Sequence, residues 1–255
     1  MTTLVYDSTF DGFLSAVFSC YELKLKEVSI VRNSLFQKPL FGNHDTIITE
    51  PEKANRVWKG LKNKMTAQEL RRFYYAFLSE IPTVENTLYN AISYVFSAKQ
   101  NVASDFGNKY ILEVSKLTKN VSREKHRMEA FIRFKLTKDD IYFANIEPDF
   151  NVLPLITNHF KKRYADQKWL IYDLSRKYGI YYNLETVEIV KMELDKNFDA
   201  TKTDSGIFAA VELEFQQLWK GYFNSTNIKS RKNMKLHIQH VPKRYWKYLS
   251  EKQPD

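Results

Sequence analysis

Carboxylates and a histidine that could do acid–base chemistry lie close together near the middle of the sequence. Glu147 and Asp149 stand in "NIEPDFN", and His159 and Arg163 follow in "NHFKKR". Two carboxylates beside an imidazole could act as acid and base or hold a metal, and an arginine could hold a phosphate. The pattern also predicts a strand followed by a helix here, and carboxylates at such a junction commonly cap the helix. Helix capping by Asp149 or Asn151 is the favoured interpretation, and a catalytic set of those four side chains is the alternative.

A second group of polar residues surrounds the apolar run in "HRMEAFIRF". His126, Arg127 and Arg133 are predicted to lie on or beside one strand, and guanidinium groups there would suit phosphate contacts. Pairing of the two arginines with acidic neighbours across a sheet is the more common arrangement.

The third group is the basic carboxyl-terminal end. From Lys220 onward there are nine Lys or Arg against Glu251 and Asp255, whereas the preceding 219 residues hold 30 basic and 28 acidic groups, so most of the net charge of +9 lies in this end. Basic groups neutralise phosphates and flat rings stack on bases, so the mixture suits nucleic acid. The predicted nucleic-acid-binding residues, including the arginines above, are Arg127, Arg133, Arg163, Arg231, Lys232, Lys235, Lys243, Arg244 and Tyr245.

The same end has two other interpretations. A solvated terminal segment explains the charge equally well, and Trp246 with Leu249 could pin a last helix to the core. We expect Arg231 to Lys235 to contact phosphate and Trp246 to anchor the last helix. His237 and His240 lie one turn apart, which is weak evidence for a metal without a third ligand.

Composition excludes several classes of protein. Cys20 is the only cysteine, so the chain cannot build a disulfide or a three-cysteine iron–sulfur site, and we expect no cofactor and no tightly held metal. Seven glycines leave no phosphate-binding glycine loop and no nucleophile elbow. No secretory signal or membrane span is expected, which predicts a cytoplasmic protein.

The hydrophobic periodicity predicts an α+β fold. A short strand, "TLVY", precedes a helix capped by Ser8 and Asp11, and about four helices follow between Glu52 and Lys119, with capping boxes at Thr49–Glu52 and Thr66–Glu69. An antiparallel hairpin, a helix and two more strands follow in the order β-β-α-β-β, and then a long helix leads into the basic helical end. We expect a single unit of two closely packed subdomains, about 1–120 mainly helical and about 121–255 α+β.

Five motifs in order resemble a known bacterial family. "VYDSTFDGFLSAVF", "HRMEAFIRF", "IEPDFNVLPLITNHFKKRYADQKWLIYD", "YGIYYN" and "VPKRYWKYL" are similar to the family labelled probable DNA metabolism protein, a domain of unknown function, along almost the whole chain. The chain departs from that family at Ser8 and Thr9, where Gly-Ser is usual, and at Phe150, where His commonly follows Glu-Pro-Asp.

The resemblance implies a role in DNA repair or modification, as a partner of a radical-SAM protein, and related domains occur fused to a uracil-DNA glycosylase. It supplies no catalytic residue. Together with the basic end it predicts a DNA-binding partner of a radical-SAM enzyme. A glycosylase-like or nuclease-like enzyme and a protein–protein adaptor without DNA contact are the alternatives.

Overall fold

The structure is a computed structural model that describes residues 2–38, 43–192, 208–209, 211–226 and 233–252. The chain divides into two compact units, Met1–Ser122 (unit 1) and Arg123–Asp255 (unit 2). The fold is α+β, as predicted, with small parallel and mixed sheets.

Unit 1 combines a three-stranded parallel sheet with helices. The sheet has the order β2-β1-β3, and β1 pairs in parallel with both neighbours. The elements in chain order are β1 (Thr2–Tyr6), α1 (Phe10–Glu22), β2 (Val28–Arg32), β3 (Asn43–Thr46), α2 (Pro51–Lys62), α3 (Ala67–Phe77), α4 (Val84–Ser97) and α5 (Lys109–Phe131), the last of which runs past the boundary between the units.

Local sequence signals explain how the helices of unit 1 begin. The predicted capping box at Thr66 is confirmed, because its hydroxyl accepts from Glu69 N and Glu69 binds back to Thr66 N. At α1 the cap is Thr9 rather than Ser8. At α2 the predicted Thr49–Glu52 capping box is wrong: the cap position is Glu50, which makes no side-chain cap, and the Thr49 hydroxyl donates to Asp7. Phe13, Leu14 and Val17 form an apolar stripe at helical spacing on α1, and all three are buried. Cys20 on the same helix is also buried, and burial raises the pKa of its thiol to about 12.

Unit 2 is built around a five-stranded mixed sheet. Its order is β4-β5-β6-β7-β8, in which only β5 and β6 are parallel. The elements are β4 (Lys135–Leu136), β5 (Tyr142–Ile146), α6 (Leu153–Arg163), β6 (Trp169–Asp173), β7 (Tyr178–Tyr182), β8 (Val187–Val190), α7 (Val211–Thr226), α8 (Met234–His240) and two short 3-10 helices, Lys243–Tyr248 and Ser250–Lys252. We call Lys243–Tyr248 the C-terminal segment.

The predicted order β-β-α-β-β matches β4 to β7, but three strands follow α6 where two were expected. Two further local predictions are wrong. The run "EAF" continues α5, so His126 and Arg127 lie on a helix, and the hairpin keeps only two residues in its first strand. The amphipathic periodicity of α5 continues without a stop signal, which explains this extension. The helix α6 has Val152 at its cap position without a side-chain cap, so Asp149 and Asn151 do not cap it.

Candidate nucleic-acid interface

A cavity of about 510 Å³ in unit 2 brings together two of the predicted arginines, Arg133 and Arg163. Its walls come from the residues after α5, from β4 and β5, from the end of α6 and from α7. The lining residues are Ile132, Arg133, Phe134, Leu136, Tyr142, Arg163, Tyr164, Gln167, Glu212, Phe215, Gln216, Trp219 and Ser250. Its volume lies within the 300–1,000 Å³ that is typical of small-molecule sites.

The position of Arg133 is fixed by hydrogen bonds. One nitrogen of its guanidinium donates to Glu251 Oε1 at 2.8 Å, and the other donates to the Ala130 carbonyl at 2.7 Å. Glu251 also accepts from the Trp219 indole at 3.0 Å. Although burial opposes ionisation of Glu251, the hydrogen bonds from Arg133 and Trp219 hold its pKa below the ordinary value. The Arg133 Nε atom is buried and has no hydrogen-bond partner among the described residues.

Arg163 is held much more loosely. It is the last residue of α6 and is exposed, and its Nε lies 3.4 Å from the Tyr164 hydroxyl. Cations commonly stand in the last turn of a helix because they interact favourably with its dipole, which also explains Lys161 and Lys162. Arg163 differs from Lys162 because its side chain lines the cavity.

Five aromatic rings line the same cavity, namely Phe134, Tyr142, Tyr164, Phe215 and Trp219. Phe134 is held by edge-on contacts with Phe160 at 5.7 Å and with Tyr164 at 5.3 Å, and it also meets the buried Trp169 at 6.5 Å. These contacts anchor one wall to the core of unit 2. Rings fixed in this way can stack on a flat ligand at a small cost in side-chain entropy.

Two amides and one carboxylate are among the other residues that line the cavity. Glu212 is buried and accepts hydrogen bonds from Leu136 N and from Gln216 Nε2, both at 2.9 Å, so its charge is already engaged. Gln167 and Gln216 supply groups that both donate and accept hydrogen bonds. The cavity therefore combines ring faces, amides and one loosely held cation.

Sequence reasoning chose both arginines but missed all five rings. In the sequence each arginine is followed by an aromatic residue, as Arg133-Phe134 and Arg163-Tyr164. This signal is weak, because Arg72-Phe73 and Arg244-Tyr245 share it and both of those rings are buried in the core. The rings on α7 carry no local signal that places them beside the other wall.

The predicted residues of the C-terminal segment are engaged with carboxylates of unit 2. Arg244 lies 3.2 Å from Glu124 Oε2 and 2.5 Å from Asp149 Oδ2. The Tyr245 ring is buried, and its hydroxyl donates to Glu124 Oε1. Burial first, and then the hydrogen bond to Glu124, raise the pKa of the Tyr245 hydroxyl. A ring in this position is not free to stack on a base.

Glu124 is the centre of this cluster. It is buried and also accepts from Arg127 at 3.4 Å and from Asp149 N at 3.0 Å. We call Glu124, Arg127, Asp149, Arg244 and Tyr245 the Glu124 cluster.

Glu147 has separate partners on the same segment. Lys247 and the Tyr248 hydroxyl both donate to its Oε2. Burial would raise the pKa of Glu147, but the two hydrogen bonds outweigh it and lower that pKa. Burial and the nearby carboxylate raise the pKa of the Tyr248 hydroxyl.

The four candidate catalytic residues have different neighbours. Glu147 is bound by Lys247 and Asp149 by Arg244, while His159 Nδ1 lies 3.8 Å from Glu129 Oε1 and Arg163 lines the cavity. None of the first three lines that cavity. The cavity at Arg163 therefore does not bring the four side chains together.

The remaining predicted cations differ in their surroundings. Lys235 on α8 and Lys243 in the C-terminal segment are exposed, and Arg127 is half-buried against Glu124. Arg231 and Lys232 lie outside the described residues. Trp246 is half-buried, and its indole donates to the Val241 carbonyl at 3.0 Å.

Two kinds of feature are absent from the described part of the chain. No group of three or more His, Cys, Asp or Glu side chains there could hold a metal ion. No helix within that part has the length and the apolar character needed to cross a bilayer.

Comparisons with known proteins identify the family and little else. One solved structure that gives a distant match is a pGpG-specific phosphodiesterase, PggH, from Vibrio cholerae. It is 11% identical with a TM-score of 0.36, over 71% of this chain and 80% of that one, and a likeness of this size carries no argument about function. No curated protein matches the chain. Residues 82–251, about two thirds of the chain, match the family described as the domain of unknown function DUF4130, and the chain therefore belongs to that family.

Proposed function

We propose that the protein binds single-stranded nucleic acid in its unit 2 cavity and acts in DNA metabolism. The observation that carries the proposal is one cavity of about 510 Å³ that is lined by five aromatic rings and by the exposed Arg163, with Arg133 held beside them by Glu251. Base–aromatic stacking contributes about 1–3 kcal/mol per base, and guanidinium groups suit phosphate oxygens in geometry and charge. Single strands offer unstacked bases that can enter such a cavity, whereas the bases of a duplex are stacked.

The role beside a radical-SAM enzyme depends on the family resemblance of the five sequence motifs. In this proposal the chain presents a strand to an enzyme that carries out the chemistry. The separate neighbours of Glu147, Asp149 and His159 favour a binding role over catalysis by this chain.

The test is binding of the full chain to a labelled single-stranded oligonucleotide, measured by fluorescence anisotropy. We expect Arg163→Glu to weaken binding by about tenfold or more, because it replaces a phosphate-contacting cation with a repelling charge. Lys162→Glu is the matched control, since it makes the same charge change one residue away without lining the cavity. Equal losses of affinity in both variants would mean that the charges act only through long-range attraction of the oligonucleotide, and this would contradict the proposal.

A protein–protein adaptor is the second candidate, and one observation favours it. On α7, Val211, Phe215 and Leu218 are exposed at helical spacing, and the exposed fraction of Leu218 is 68%. An exposed apolar stripe of this kind often marks a partner surface. If the adaptor function holds, Leu218→Glu will abolish co-purification with the radical-SAM protein while DNA binding is unchanged.

A further inference from the structure

Unit 1 contains a smaller cavity of about 240 Å³ between α1, α2 and α3. It is lined by Phe10, Asp11 and Leu14 of α1, Ala54, Asn55 and Trp58 of α2, and Tyr74 of α3. None of these residues was singled out by the sequence as part of a site.

Three of the lining residues are aromatic and hold one another in place. The Phe10 ring meets Trp58 edge-on at 5.5 Å and Tyr74 at 5.1 Å. Phe10 also packs at 5.0 Å against Phe77, which is buried in the core of unit 1. The rings of Trp58 and Tyr74 are only partly buried, so each keeps some surface for a ligand.

Two polar side chains complete the lining and set the pattern of hydrogen bonds. The Asp11 carboxylate only accepts hydrogen bonds, whereas the Asn55 amide both donates and accepts them. Burial first, and then the negative charge of Asp11, raise the pKa of Tyr74, which indicates that the carboxylate lies near the ring. A ligand that satisfies Asp11 must therefore bring hydrogen-bond donors.

The volume limits the ligand to a small group. About 240 Å³ is below the 300 Å³ at which sites for whole small molecules usually begin. One planar base or one alkylammonium group remains possible on size alone.

The cations beside the cavity favour the first of these two ligands. Lys53 on α2 is already paired with Glu22 and Glu50, so its charge is already matched. Lys59 and Lys62 lie one helical turn beyond Asn55 and Trp58, and Arg71 lies one turn before Tyr74, and all three are exposed. These three exposed cations can attract the phosphates that flank a base in a polyanion, and an alkylammonium ion brings no such phosphates.

We propose that the unit 1 cavity binds one unstacked guanine base of a single-stranded nucleic acid. The adjacent N1–H and N2–H groups of guanine match the two oxygens of Asp11, and the Asn55 amide can donate to guanine O6. The aromatic rings contact the base, while Lys59, Lys62 and Arg71 attract its flanking phosphates. The inference goes beyond the proposed function, because it places a second site in unit 1 and needs no residue of the unit 2 cavity.

The test uses the full chain and three labelled oligothymidines with a central guanine, hypoxanthine or thymine. Hypoxanthine lacks the N2 amino group, so it removes one of the two donors to Asp11. A good bidentate contact to a base discriminates by about fivefold or more. We expect guanine to bind at least about fivefold more tightly than thymine, with hypoxanthine between them.

The variant Asp11→Asn should abolish this preference, because its amide donates where guanine also donates. Asn55→Ala, at an exposed position, should reduce it and serves as the second variant if Asp11→Asn does not fold. Glu52→Gln is the matched control, since it also removes a carboxylate from the first turn of a helix but does not line the cavity. Equal binding of the three oligonucleotides, or a guanine preference that survives both cavity variants, would overturn the inference.

Running Arg163→Glu on the same oligonucleotides separates the two sites. A guanine preference that depends on Asp11 while Arg163→Glu binds normally would support this inference and contradict the proposed function. If Arg163→Glu loses affinity and the parent shows no preference for guanine, the result would support the proposed function and contradict this inference.

Discussion

Two groups of cations in unit 2 differ in what already binds them. In the C-terminal segment, Arg244 and Lys247 are bound to the carboxylates of Glu124, Asp149 and Glu147. At the cavity, Arg163 is exposed, and its Nε lies 3.4 Å from the Tyr164 hydroxyl.

The difference shows why charge along the sequence is a poor guide to a binding surface. The carboxyl-terminal end carries most of the net charge, yet part of that charge stabilises the fold by pairing with carboxylates about a hundred residues earlier in the chain. A cation that is already paired with a carboxylate contributes less to nucleic-acid binding, because the carboxylate repels the phosphate. We therefore expect the two groups to affect different properties, stability for the first and binding for the second.

The largest expected effect is on stability, from Glu124→Ala. The variant leaves Arg127, Arg244, the Tyr245 hydroxyl and Asp149 N without their shared acceptor. Removing one partner of a buried ion pair typically costs about 3–5 kcal/mol, so urea unfolding should show a loss of this size. The control is Glu113→Ala on the same helix, whose exposed pair with Lys116 should contribute less than about 1 kcal/mol. Similar losses of unfolding free energy in the two variants would mean that the Glu124 cluster contributes no more to stability than an exposed ion pair.

A smaller loss is expected from Tyr245→Phe. The ring still fills its buried position, but Glu124 loses one hydrogen bond from a hydroxyl. A hydrogen bond to a charged group contributes about 1.5–3 kcal/mol, which unfolding in urea can resolve. Tyr110→Phe, near the start of α5, is the control. If Tyr245→Phe is as stable as the parent but binds DNA more weakly, Tyr245 belongs to the binding surface, as the sequence predicted.

The smallest expected effect is on the stability of the protein at acidic pH, through the ion pair of Glu147. Because its pKa in the folded protein is below the ordinary value of 4.5, the contribution of its ion pair is present above that pH. It is lost as the pH falls through the lower folded-state pKa. The side chain is about one third exposed, so solvent screens the interaction. Thermal unfolding between about pH 5 and pH 3 should show a slightly smaller decrease in stability for Glu147→Gln than for the parent. An identical pH dependence would contradict this pairing.

Short-range features were predictable from the sequence because they depend on neighbouring residues. The Thr66–Glu69 capping box and the stripe of α1 follow from spacings of three or four residues. The Glu124 cluster was not predictable, because its members Asp149 and Arg244 are 95 positions apart in the sequence. Helix capping by Asp149 needed only neighbouring residues and was therefore the favoured interpretation. Strands β2 and β3 were missed because they are short and parallel, and no hairpin turn marks them.

The candidate site was predictable only in part. Arg133 and Arg163 were chosen because of their residue type and neighbouring motifs. The two arginines line one cavity because α7 places Phe215 and Trp219 beside them. No local sequence pattern specifies that placement of α7. The predicted contacts of Arg231 and Lys232 with phosphate stay predictions.

The most direct test of the central claim is the salt dependence of single-strand binding for Arg163→Ala and Arg244→Ala. Each phosphate that a variant no longer neutralises should lower the slope of log affinity against log salt by about 0.7 on a single strand. We expect Arg163→Ala to lower the slope by about this amount with unchanged stability, and Arg244→Ala to lose stability with an unchanged slope. A lower slope in Arg244→Ala together with an unchanged slope in Arg163→Ala would contradict the account and would place the binding surface on the C-terminal segment.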